Sequence, residues 1–83
     1  MTPSAHAAAV AAFIARTDNP SLLPPSDVEA QAAEVHAHLS VATVAGDAYT
    51  TADTLLAEAE AMPAFARRTR LIVALIHAIR ATR

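Results

Sequence analysis

Twenty-three of the 83 residues are Ala and one is Gly, and that ratio narrows the fold before any motif is considered. Ala loses no side-chain rotamer entropy in a helix and ranks first in helix propensity. Tight hairpin turns depend on Gly for backbone conformations of positive φ. One Gly cannot serve the several turns of a β-rich fold. The expected class is all-α, a small bundle of about four helices in a single domain, because a chain this short has no room for a second core.

Pro and capping residues divide the chain. Thr2 caps a first helix with Pro3 at its first position, where a missing N–H costs nothing. His6, Val10, Phe13, Ile14 and Thr17 then follow at helical spacing, which predicts a helix over 3–17. The Pro-rich linker 18–25 cannot be helical, and its Leu22 and Leu23 are expected to tuck against the bundle. Ser26-Asp27-Val28-Glu29 is a capping box. It opens a second helix over 27–45, with Val28, Ala32, Val35, Leu39 and Ala42 on one stripe and Gly46 as terminator. Thr50 and Asp53 repeat the capping pattern and predict a third helix over 51–62, carrying Ala52, Leu55, Leu56, Ala59 and Met62. Met62-Pro63 breaks the chain. A fourth helix over 64–82 carries Phe65, Thr69, Ile72, Ile76 and Ile79 as its main stripe, widened by Leu71, Val73 and Leu75.

Apart from Ala, only 22 larger apolar side chains remain to build a core. At about 1.5–3 kcal/mol for each one fully buried, they barely offset the backbone entropy of about 1–2 kcal/mol per residue. A fourth helix that is apolar on most sides is usually central to a bundle or shared with another chain. A homo-oligomer or a protein partner is therefore expected, bound through Leu71, Ile72, Leu75, Ile76 and Ile79.

Charge is distributed unevenly. The formal net charge is −2, yet residues 1–63 hold all eight acids and one Arg, while 64–83 hold five Arg and no acid. Arg67, Arg68 and Arg70 crowd the start of the fourth helix, where the helix dipole disfavours cations. Glu58, Glu60, Glu29 and Glu34 are candidate internal partners. Otherwise Arg67, Arg68, Arg70 and Arg80 would meet an acidic protein surface or phosphate. A nucleic-acid binder would more often be net basic and use Lys as well, so that reading ranks second.

Other chemistry finds little footing. Without Cys there is no disulfide scaffold, zinc ribbon or thiol nucleophile. His36 and His38 sit two apart, about 200° around a helix, so they cannot share an ion there. They are expected at the boundary or the surface, and His6 and His77 could join a site only through tertiary structure. Glu58 and Glu60 diverge in the same way. Ser40-x-x-Thr43-Val44 resembles the turn of helix-turn-helix regulators over five residues only, and Glu34 and His38 stand where that motif wants small residues. No catalytic residue, metal, cofactor or small-molecule substrate is expected. The nine-residue uncharged run Leu71 to Ile79 is about half a bilayer crossing, and no positive residue precedes Arg16 as a signal peptide would require. The sum is a non-enzymatic cytoplasmic protein acting by association, as adaptor, inhibitor or accessory subunit, with a small nucleic-acid-binding regulator as the alternative.

Overall fold

The computed structural model describes residues 1–82. Four α-helices follow in chain order: α1 (Pro3–Thr17), α2 (Asp27–Ser40), α3 (Asp47–Glu60) and α4 (Arg67–Ala81), with a short 3₁₀ turn at Ala64–Ala66 leading into α4. No strand occurs among the described residues. The all-α bundle expected from Ala and Gly content is what the chain forms.

The two N-terminal caps work as the sequence requires. Thr2 Oγ1 accepts the N–H of Ala5 at 3.2 Å, and Pro3 opens α1. Ser26 and Glu29 close a reciprocal capping box, Ser26 Oγ accepting from the Glu29 N–H and Glu29 Oε1 from the Ser26 N–H, each at 3.3 Å. Glu29 also takes an ion pair from Arg16, which ties α1 to α2. The Ser26 N–H and then the Arg16 guanidinium hold its carboxyl below the usual Glu range.

The middle of the chain departs from expectation. α2 stops at Ser40, not 45, and Val41 and Val44 lie exposed beyond it. A continued helix would have turned both valines to the side opposite the Val28–Leu39 stripe, where nothing covers them: they are 76% and 55% exposed. Instead the N–H of Thr43 reaches the carbonyl of Ala81 at 3.1 Å. Gly46 does not terminate α2; it is the N-cap of α3, with φ 92° and ψ 177°. This backbone region is open essentially to Gly alone, so the residue starts α3 at Asp47, four positions before the expected start at 51. α3 ends at Glu60, and Met62 lies in the turn that follows.

The core gathers Val35 and Leu39 from α2, Tyr49, Ala52, Leu56 and Ala59 from α3, and Leu71, Ala74, Ala78 and Ala81 from α4. The α2 and α3 stripes are those read from spacing. The α4 stripe is not. Its inward face is mostly alanine, while Ile72 and Ile76 are 44% and 54% exposed and Val73 is also on the surface. Ala at the contact lets helix axes approach closely, toward the short end of the 8–10 Å range. α3 also brings Ala52 and Ala59 to the core, beside Tyr49 and Leu56. The molecule measures 41 × 26 × 17 Å, and 17 Å admits two helix layers but not a third to cover α4. Leu22 and Leu23 do not tuck in either: Leu23 is 81% exposed. Three prolines hold the linker away from the helical layer.

Candidate functional site

Two features stand apart from ordinary core and surface. The first is the outer face of α4. Arg68, Ile72, Ile76 and Arg80 recur every four residues along it, so they form one stripe, flanked by Val73. Phe65 of the 3₁₀ turn is 91% exposed just before it. Of the five apolar residues expected to meet a partner, Ile72 and Ile76 are on this face. Leu75 packs half-buried against the core, and Ile79 is half-buried. Leu71 must be reassigned: at 1% exposure it belongs to the chain's own interior.

The four arginines also separate into two kinds. Arg70 Nη1 pairs with Glu58 Oε2 at 2.7 Å. Arg67 Nε donates to the carbonyl of Met62 at 2.7 Å, bracing the turn before α4. Arg80 reaches only the His77 ring, at 2.9 Å. Among the described residues, neither Arg68 nor Arg80 has a carboxylate partner. Of the expected basic cluster only Arg70 is charge-paired among the described residues; Arg67 spends its Nε on a backbone carbonyl, and Arg68 and Arg80 stand at opposite ends of the Ile stripe.

The second feature is a buried histidine pair. His6 of α1 is fully enclosed and His36 of α2 nearly so. Their Nδ1 atoms lie 2.7 Å apart, so one ring donates and the other accepts a single proton. Beyond them, His6 Nε2 meets Asp53 Oδ1 at 2.9 Å and His36 Nε2 faces Glu60 Oε1 at 3.3 Å. Asp53 also receives the α-amino group of Met1 at 2.8 Å. Tyr49 stands edge-on to His6 with ring centres 5.9 Å apart, and donates its hydroxyl to the Met1 carbonyl at 2.6 Å. Burial, reinforced by the Asp53 charge, pushes that hydroxyl's pKa above the ordinary tyrosine range.

His36 therefore lies inside, contrary to its expected boundary or surface position. Spacing alone would not reveal this, since the pair spans thirty residues and depends on α1 docking against α2. The available signal was His6 on the α1 apolar stripe beside Val10 and Phe13. The four groups form a line, Asp53–His6–His36–Glu60, each nitrogen serving one neighbour. Among the described residues no three His, Asp or Glu side chains converge as metal ligands would.

A shallow groove of about 350 Å³ runs between α1 and α2 toward the start of α4, floored by Ala9, Ala12, Ala32 and Ala33 and edged by Arg16 and Arg67. No described helix is long and apolar enough to cross a membrane. Compared with known family models, curated proteins and solved structures, this chain matches none.

Proposed function

We propose that this chain is a non-enzymatic, cytoplasmic association module that binds protein through the outer face of α4. The observation that carries the reading is the inverted packing of that helix, alanine inward and isoleucine outward. Ile72, Val73, Ile76 and Phe65 form an apolar strip that a chain two helix layers thick leaves in water. Exposed apolar strips rimmed by polar residues mark interaction sites more often than isolated surface hydrophobes do. Arg68 and Arg80 supply the rim, and a desolvated aromatic or aliphatic anchor ringed by charge is a common energetic plan for protein interfaces. The nucleic-acid alternative ranks second, because Arg70 is paired with Glu58 and Arg68 and Arg80 are separated by the apolar strip.

Photo-crosslinking in cells tests this. A photoreactive side chain at position 76 should give covalent protein adducts, while one at position 7, on the outer alanine face of α1, should give none. No adduct at 76, or equal adducts at both positions, overturns the proposal.

A further inference from the structure

The same chain carries a surface complementary to the α4 strip. The linker between α1 and α2 displays Leu22 and Leu23, both exposed, between Asp18 on one side and Asp27 on the other. Among the described residues, neither acid has a basic partner. On α4, Ile72 and Ile76 lie between Arg68 and Arg80, about 18 Å apart at 1.5 Å per residue. One surface is aliphatic with acidic ends and the other aliphatic with basic ends. We propose that the occupant of the α4 face is a second copy of this chain, docking head-to-tail through its Leu22–Leu23 loop. This rests on the reading of α4 as an association face.

Three observations argue for this occupant. The loop is held ready for docking: Pro20, Pro24 and Pro25 restrict its backbone, and Asn19 fastens its first turn through Oδ1 to the Ser21 N–H at 2.9 Å and through its carbonyl to the Leu22 N–H at 3.2 Å. A preordered loop loses little entropy on binding. Second, the end charges are opposite in sign. Asp18 sits at the C-cap of α1 and Arg68 in the first turn of α4, each at the end of its helix that the dipole disfavours. Bringing Asp18 of one copy to Arg68 of the next relieves both. Third, the alternative of two α4 faces pairing with each other sets Arg against Arg. An antiparallel pair opposes Arg68 to Arg80, and a parallel pair opposes each to itself. The charges disfavour a two-fold pairing of α4 faces and favour a heterologous contact, which propagates into chains or closes into rings.

Sedimentation velocity on the purified protein and two complementary variants tests the proposal. Wild type should form a concentration-dependent series extending past the dimer. Leu23→Asp and Ile76→Asp, each retaining helical circular dichroism, should each lose self-association, with Kd raised at least about tenfold. Mixed, they should form a dimer and stop there, because each supplies the one face the other lacks. If either variant fails to fold, charge reversal replaces it. Asp18→Arg with Asp27→Arg in one copy, and Arg68→Glu with Arg80→Glu in another, should each be monomeric and should associate on mixing. A wild type that stays monomeric into the millimolar range overturns the head-to-tail proposal, as does a mixture that stays monomeric. If Leu23→Asp associates like wild type while Ile76→Asp does not, the α4 face binds something other than the loop. That result overturns the head-to-tail arrangement and leaves the α4 reading standing.

Discussion

His6 and His36 meet Nδ1 to Nδ1 at 2.7 Å inside the molecule, and this contact can hold one proton but not two. Burial first, and the His36 charge second, hold the His6 pKa below its ordinary value; Asp53 opposes them without prevailing. A group with a lowered native pKa binds fewer protons folded than unfolded. Its contribution to stability is therefore complete above about pH 6.5 and is lost as pH falls toward the native value. Urea midpoints should drop between pH 7 and pH 5. In a His6→Leu, His36→Leu double variant the part of the drop nearest pH 6 should vanish, and an unchanged profile there would show that His6 does not take up a proton on unfolding.

The two rings should also prove coupled. His36→Leu alone strands the buried Nδ1 of His6, and an unsatisfied buried polar group costs about 1–3 kcal/mol. His6→Leu strands the Nδ1 of His36 in the same way. Replacing both removes both orphans, so the double variant should lose less than the sum of the singles. Strict additivity in a denaturation cycle would mean the contact carries no energy.

On α4 the size order of substitutions should be reversed from intuition. Ala78→Leu enlarges a fully buried side chain at a contact with no spare volume, costing about 1–3 kcal/mol. Ile76→Ala trims an exposed one and should fall within about 0.5 kcal/mol. Thermal denaturation of both variants at a concentration low enough to keep the protein monomeric decides the matter.

Gly46→Ala should cost about 1–3 kcal/mol through backbone strain alone. A Cβ there would meet no atom within 4 Å, so crowding contributes nothing. The loss should appear for Gly46→Ala and Gly46→Ser alike, in contrast to the size dependence at Ala78, and chemical denaturation of the two would show it.

Local rules reached as far as local causes did. The helix starts at Thr2 and Ser26 were legible because each cap is satisfied within four residues. The α2 stripe Val35–Leu39 and the α3 stripe Ala52–Leu56–Ala59 were legible because bulk and periodicity agree in them. The α4 face was misread because bulk and periodicity conflict there. Which face turns inward depends on how closely α3 approaches, and α3 offers Ala52 and Ala59 at its contact face. The start of α3 was misplaced because Gly46 was read for what it ends and not for what it begins. His36 was out of reach for a different reason: its partner lies on another helix, and no spacing rule connects residues 6 and 36.

The hydrogen bond from Thr43 to Ala81 joins the α2–α3 connection to the last turn of α4, thirty-eight residues further along. Among the described residues that amide has no other hydrogen-bond acceptor, so its deuterium uptake is governed by the unwinding of a helix to which it does not belong. Anything that clamps the far end of α4 would register as slowed labelling at Thr43, which makes a single backbone position in a loop a gauge of how firmly the final helix is held.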